Sequence, residues 1–414
     1  MIHDTRDRVI HPVWLWSGVL LLVVGTVARQ SALVLAAALL LGVVGVAYLW
    51  GRRALTAVSY RRHLSQERAA WGDGVVLSVR VENRKLLPLP WLCIEDEMPA
   101  ALVIRTVLTS SHLAERRRLR ILSSVLWYQQ VTRRYTLLCT ARGEHVFGPA
   151  ELRSGDIFGL ATAWLTLPER TTLLVYPRVV SPSALGLPPA QPFGPLRTPR
   201  RLFDDPLRTV GIRDYAVGDS LRSMHWKATA RTGAPQVRVP EPVRTLRAVI
   251  FLDVATGEHA WDGYDPDLLE LAIVTAASTA MYLLAEGFEV GLITNGRALG
   301  RPGVIGVAPS HGPATGPAIL EELARLGPLS AAPLDRVILF ERGQLPGQCS
   351  VIVVTAAPGI ALRSAVLRLH TDGRYVALVC VGGTRLPAAS GGLTVRHVSA
   401  NQDWRHMPAL TVRG

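Results

Sequence analysis

Hydrophobic and polar positions divide the chain into successive regimes. Val13–Val27 is an apolar run that breaks at Ala28-Arg29-Gln30 and resumes as the uncharged stretch Ser31–Trp50. About twenty residues at a rise of roughly 1.5 Å each cross a hydrocarbon core. The first run is shorter. The pair, residues 1–52, reads as a transmembrane helical hairpin turning at Arg29. A cleaved signal peptide followed by a single span is the weaker reading, because no small-residue cleavage site precedes a polar start.

From about residue 53 to residue 180 the period changes to two. Val75, Leu77, Val79 and Val81 alternate with polar or neutral residues, which is the signature of a half-buried strand. Glu82–Lys85 reads as a turn. Trp91–Ile94, Arg117–Leu122, Tyr135–Thr140 and Thr171–Val175 are further strands with turn residues between them. Short strands in this rhythm predict an antiparallel β-sandwich of the fibronectin or immunoglobulin kind. Residues 181–205 are dense in proline and read as a linker or extended strap, not a core element.

Residues 247–400 switch again. Ala248–Asp253 is a continuous apolar strand, Pro266–Glu286 a helix and Glu289–Thr294 a strand. Val304–Val307 reads as a small hairpin, and Ala314–Leu326 and Leu334–Gly343 as helices. Val351–Thr355, Ile360–His370 and Tyr375–Val381 repeat strand, helix, strand, and Leu393–Val398 adds one more strand. This alternation predicts an α/β domain with a mainly parallel sheet covered on both faces. Residues 401–414 form a tail.

Composition sharpens the picture in four places. The net charge of +13 favours anionic partners, and it is also what a cytoplasm-facing membrane protein carries. Arg6 and Arg8 precede the first apolar run, and Arg52, Arg53, Arg61 and Arg62 follow the second. Only Arg29 lies between, so the positive-inside rule puts both ends of a multi-pass cell-membrane protein in the cytoplasm. The four cysteines, Cys93, Cys139, Cys349 and Cys380, are far apart in apolar runs and read as buried thiols rather than a disulfide framework or zinc site. Basic residues do not run together with interleaved aromatics, so a nucleic-acid partner is not expected.

The densest mixture of charge and aromatics is Gly211–Arg231, GIRDYAVGDSLRSMHWKATAR, inside a signature segment of residues 206–246. Its candidate residues are Arg213, Tyr215, Gly218, Asp219, Arg222, His225, Trp226, Lys227 and Arg231, as a partner-docking or structural signature. Asp219 or Ser220 is expected to cap a short helix, with Leu221, Met224 and Ala228 on one face and Arg222 and Trp226 on another. Gly233 closes the unit, and Gln236–Val239 alternates like a strand. Ser223, His225 and Asp219 are the residue types of a hydrolytic triad, but Ser223 and His225 are two apart and diverge on a helix. No catalytic residue is assigned, and His225 is expected to bond locally. Lys85 and Lys227 are the only lysines. Neither sits in a phosphate-binding loop, and no dinucleotide, nucleophile-elbow or zinc-protease motif is present.

The run resembles the hallmark of the domain of unknown function 58 family, G-x-R-x-Y-x-x-G-D-x-x-R-x-I-H-W-K-x-x-A-R, with Met224 at the isoleucine position. Ala141–Leu160, ARGEHVFGPAELRSGDIFGL, resembles a second motif of that family, with Ile157 where proline is common. Its Arg142, Asp156 and glycines suit either a docking surface or turn geometry. The α/β order, with Asp253 ending the first strand, resembles a von Willebrand factor type A domain (Rossmann-like). Such domains often bind a divalent ion with D-x-S-x-S. Here the stretch is Asp253-Val254-Ala255-Thr256-Gly257, and the later Thr-Asp-Gly is Thr355-Ala356-Ala357. Asp253 and Thr355 are therefore weak metal candidates, neither a metal nor another cofactor is expected, and Asp253 is expected to cap a strand end or pair with a cation such as Lys227. The resemblance implies a non-enzymatic, membrane-anchored adaptor working with a MoxR-type AAA+ ATPase in assembly, maturation or envelope homeostasis, its partners being membrane lipid and that ATPase. The alternative is a hydrolase or an anion- or nucleotide-binding sensor built on the signature.

Overall fold

The structure is a computed structural model that describes residues 9–10, 12–104, 108–110, 116–189, 192–194, 203–216, 219–243, 246–257, 263–298, 306–346, 349–383, 389–390, 393–400 and 404–407. It divides into two compact units, Met1–Pro177 and Arg178–Gly414.

The first unit opens with β1 (Val9–Ile10), α1 (Pro12–Val27) and α2 (Ser31–Ala54). The helices run antiparallel. Arg29 turns the chain with a positive φ of 53°, as expected for the hairpin. Small residues let the backbones meet. A Cβ on Gly18 would lie 2.7 Å from Leu41 Cδ2, and one on Gly25 2.9 Å from Leu33 Cβ. α2 is long and apolar enough to cross a membrane by length and composition, and most of it is exposed.

The strands that follow are β2 (Val58–Leu64), β3 (Arg68–Ala69), β4 (Gly74–Asn83), β5 (Leu89–Pro99), β6 (Val103–Ile104), β7 (Leu108–Ser110) and β8 (Arg116–Val125). Then come β9 (Gln130–Leu138), β10 (Gly143–Phe147), β11 (Ala150–Gly155), β12 (Ala161–Leu167) and β13 (Thr171–Val175). They form sheets of order β1-β12-β11-β5-β8-β7, β2-β4-β9-β6 and β10-β13-β3. All pairs are antiparallel except β3 with β13. One apolar core joins the sheets: Val75, Leu77 and Val79 of β4 meet Leu92 and Ile94 of β5, Leu119 of β8, Leu152 of β11 and Phe147 of β10. The alternation seen in the sequence is the inward face of β4.

Ala141–Leu160 supplies β10, β11 and the loop after it, which is turn and strand geometry. Gly148 has φ 92°, and a Cβ there would come within 2.5 Å of Glu169 O. Asp156 is buried and folds its loop back, accepting from Phe158 N at 2.8 Å and Ala161 N at 2.5 Å. Nearby, Tyr60 donates to Asp96 at 2.7 Å, and Arg62 reaches the same buried carboxylate at 3.2 Å. All four cysteines are buried thiols.

In the second unit the proline-rich segment is not a free linker. Among its described residues Leu185, Leu187 and Phe193 are buried. Phe193 packs edge-on against Tyr282, and its carbonyl accepts from Tyr375 at 3.0 Å. Proline stiffens a strap, and the apolar residues between the prolines pin it down. Next comes a two-stranded sheet of β14 (Phe203–Asp214) and β15 (Gln236–Val243), with α3 (Trp226–Thr232) between the strands. β14 begins inside the stretch expected to be linker.

The α/β part holds β16 (Arg247–Leu252), α4 (Pro266–Ala285), β17 (Glu289–Thr294), β18 (Gly296–Ala298), β19 (Gly306–Ser310), α5 (Thr315–Arg325), β20 (Leu326–Ser330), α6 (Leu334–Glu341), β21 (Ser350–Thr355), α7 (Ile360–Thr371), β22 (Tyr375–Val381), β23 (Ala389–Ser390) and β24 (Leu393–Val398). The main sheet has order β19-β17-β16-β21-β22-β24-β23. Its five middle strands are parallel and its two edge strands antiparallel. β19 takes the place of the expected Val304–Val307 hairpin, of which residues 304–305 lie outside the described residues. Val249 and Phe251 of β16 face α6 and α7. α4 covers the opposite face. It also has the length and apolarity of a span, but two-thirds of its apolar window is buried, as befits a core helix.

Candidate functional site

The signature segment forms the tip between β14 and β15, and its polar groups are spent on shape. Ala216 N donates to Asp219 Oδ2 at 2.9 Å, while Asp219 N returns to Ala216 O at 3.0 Å, closing the turn. Arg213 grips the same carboxylate with two bonds of 2.7 and 2.6 Å. This fork-to-fork pair fixes the loop to the end of β14. The guanidinium holds the Asp219 carboxyl below its usual range.

The expected single helix is split. Leu221–Ser223 is a 3-10 turn. Met224 then bridges to Val237 of β15, and His225 N donates to Gln236 O at 2.8 Å. That crossing breaks the helix. α3 restarts with His225 as its N-cap, the ring Nδ1 accepting from Ala228 N at 3.0 Å. The i, i+4 relation of Arg222 to Trp226 therefore does not hold as a helix face. Gly233 ends α3 in the left-handed region, at φ 69°. Thr229 Oγ1 accepts from Gln236 N, and Gln236 reaches back to Asp214. Thr229 and Gln236 were not candidates from sequence, since nothing in an isolated Thr or Gln announces a cross-strand bond.

What remains outward is aromatic, aliphatic and basic. Trp226 is 69% exposed and Leu221 68%, with Tyr215 and Ile212 also exposed. Lys227 and Arg231 are exposed on α3, and among the described residues neither makes an ion pair. Gly218 and the side chain of Arg222 lie outside the described residues. Ser223, His225 and Asp219 are not assembled as a triad: the imidazole caps a helix and the carboxylate holds Arg213.

A second polar cluster sits at the carboxyl ends of the central strands, where the strand order reverses and open α/β sheets tend to bind ligands. Asp253, just past β16, is buried. Its Oδ1 accepts from Asn295 Nδ2 at 2.8 Å and Ala255 N at 3.1 Å, and its Oδ2 from Thr355 Oγ1 at 3.0 Å. Asn295 in turn accepts from Val254 N at 2.9 Å. Burial pushes the Asp253 carboxyl up, and the three donors oppose that shift. The expected cationic partner is replaced by this neutral set. Asn295 was missed in the sequence, although a polar Thr294-Asn295 at the end of an apolar strand is the available signal. The residues do not fit a divalent ion. A hard cation asks for about six or more oxygen ligands. Here one carboxylate is held by three protein donors, and Ala255 and Gly257 offer no side-chain oxygen. Among the described residues no group of three or more His, Cys, Asp or Glu could hold a metal.

A family model described as "Protein of unknown function DUF58" matches residues 211–337. The chain is 25% identical over 239 residues to "Uncharacterized protein YeaD" of Bacillus subtilis (strain 168), a match covering 57% of this chain and 55% of that protein. The chain thus spans about half the length of that curated relative. Among solved structures, a cohesin module from Clostridium perfringens ATCC13124 matches at 8% identity and TM-score 0.21, covering 29% of this chain and 97% of that one. A non-cellulosomal cohesin from Archaeoglobus fulgidus matches at 12% identity and TM-score 0.19, covering 28% and 91%. At those scores neither likeness carries an argument. The span matched by the family model contains the Gly211–Arg231 signature, whose motif resembles the hallmark of that family.

Proposed function

We propose that the protein is a membrane-anchored, non-enzymatic interaction adaptor that presents the tip of the β14–β15 hairpin to a MoxR-type AAA+ ATPase. The observation that carries this is the division of labour within the signature. Its hydrogen-bonding groups lock the loop, and its aromatic and basic side chains stay outside. Exposed Trp and Tyr beside Arg231 are the residue types of a protein-docking hot spot. A catalytic reading needs Asp219 and His225, which are both engaged in holding the fold.

In this reading α1 and α2 cross the membrane as a pair, with both flanking segments on the cytoplasmic side by the cation distribution of the sequence. The α/β part is read as a von Willebrand A-like protein-binding module with a neutralised ion site. The partner class comes from the family resemblance.

The test is quantitative co-purification from native membranes. Wild type is compared with Trp226→Ala/Lys227→Ala, two exposed changes that leave the core intact. The expected result is an AAA+ ATPase enriched with wild type and lost from the variant. Equal enrichment with both would move docking elsewhere. No ATPase in either would remove the adaptor reading and favour an activity screen.

A further inference from the structure

One end of the β-sandwich lies beside the foot of α2, and it is unusually apolar. The strand registers establish the placement. β2 leaves α2 directly, and Val58 pairs with Asn83, so β4 returns to the helix end. Glu82 pairs with Gln130, Leu89 with Val125, and Gly155 with Thr162. The loops 84–88, 126–129 and 156–160 therefore share that end.

Two contacts tie it to the helix. Lys85 Nζ donates to Ala54 O and, at 2.7 Å, to Thr56 O, and Tyr128 N donates to Lys85 O at 3.3 Å. On the other side, a Cβ on Gly51 would lie 2.6 Å from Ala161 Cβ. Ile10 pairs with Ala161 and Val9 with Thr162, antiparallel. β1 therefore runs toward the 156–160 loop. Gly51 lies on the last turn of α2, so the long apolar part of the helix lies before this contact.

Of nine large hydrophobic side chains left exposed in the described part of residues 58–175, six lie on these loops: Leu86, Leu126, Trp127, Tyr128, Ile157 and Phe158. Each is more than half exposed. They are held rather than loose. Asp156 fixes the 156–161 loop through Phe158 N and Ala161 N, and its carbonyl accepts from Trp91 Nε1 at 3.1 Å. Asn83 Nδ2 clamps Leu87 O and Leu126 O at 3.0 and 2.9 Å. The charge at this end suits an anionic surface. Arg52 and Arg53 are exposed on the last turn of α2, whereas Asp156 is buried and Glu82 is paired with Arg84.

We propose that this end of the sandwich is a monotopic membrane contact, with the six side chains seated in the headgroup and upper acyl region of the same bilayer that α2 crosses. The inference rests on the reading of α2 as a span. Trp and Tyr favour this depth because each has an apolar ring and a polar edge. Leu, Ile and Phe add buried area, and neighbouring arginines meet anionic lipid. The sandwich then stands on the membrane at three points around the helix pair rather than swinging from α2 alone.

The experiment uses the full chain in bilayer nanodiscs of phosphatidylcholine and phosphatidylglycerol. An NBD fluorophore is placed on Trp127→Cys, on Phe158→Cys, or on Ala101→Cys at the opposite end of the sandwich. Lipids spin-labelled near the top of the acyl chain act as quenchers. The expected result is blue-shifted, quenched emission at 127 and 158, and red, unquenched emission at 101. Water-like, unquenched emission at all three positions, with the chain retained in the disc after alkaline carbonate, would overturn the lipid contact while leaving the span intact. Release of the chain by carbonate would instead overturn the span, and the proposal with it.

Discussion

Single residues set the local chemistry, and Asp96 is the most consequential in the first unit. Burial pushes its carboxyl up to about 6, while Arg62 and the Tyr60 hydroxyl pull the other way. A folded-state value above the ordinary carboxylate value of about 4 means that the native state holds the proton more tightly. The associated stability is present in full below about pH 4 and lost as pH rises through about 6. Asp96→Asn is expected to flatten that slope, by about 2–3 kcal/mol between the two limits. Denaturation of detergent-solubilised protein at pH 4, 5, 6 and 7, followed by a probe in the sandwich, measures it. Arg62→Met, by contrast, leaves a buried carboxylate unpaired and is expected to cost about 3–5 kcal/mol at pH 7. Gly148 is constrained by space as well as by backbone. Gly148→Ala puts a side chain at φ 92°, against Glu169 O and the Arg62 guanidinium. A loss of roughly 2 kcal/mol or more is expected in the same denaturation assay.

Among the elements, those with a strong internal period were legible in the sequence. β16, β17, β21 and β22 are buried on both faces, so their residues form unbroken apolar runs, and Glu289–Thr294 and Tyr375–Val381 are found with the bounds expected. β10, β11 and β12 were not resolved as strands, because Gly148, Pro149, Gly155 and Gly159 punctuate them and mimic a loop. The burial of the strap was hidden in the same way: prolines obscured the buried Leu185, Leu187 and Phe193. In the signature, the composition singled out the segment but not how it folds. The break before α3 is made by a cross-strand bond from His225 N to Gln236 O, a partner that no local pattern names. Two element-level predictions follow from that geometry. His225→Ala removes the cap, at about 1 kcal/mol, so amide exchange at residues 226–228 should accelerate about fivefold. Asp219→Ala frees Arg213 and opens the 216–219 turn, so proteolysis within the tip should quicken while global unfolding stays unchanged.

For the molecule as a whole, the proposed function joins an anchoring helix pair and a docking tip in one chain. Lys85 holds the foot of α2. It is half-buried, drawn down to about 8 by burial, and donates to the carbonyl of Ala54, the last residue of α2, and to that of Thr56 just past it. Cations at a helix C-terminus stabilise it. Lys85→Met should broaden the distance distribution between spin labels on α2 and on β4. The recognition tip is tested most directly by a photo-crosslinker, p-benzoylphenylalanine in place of Trp226, in the full chain in native membranes. The expected result is a light-dependent adduct with an AAA+ ATPase, abolished by Asp219→Ala and absent when the crosslinker replaces exposed Phe340 on α6. An ATPase adduct of equal yield from position 340, or none from position 226, would contradict docking at the signature.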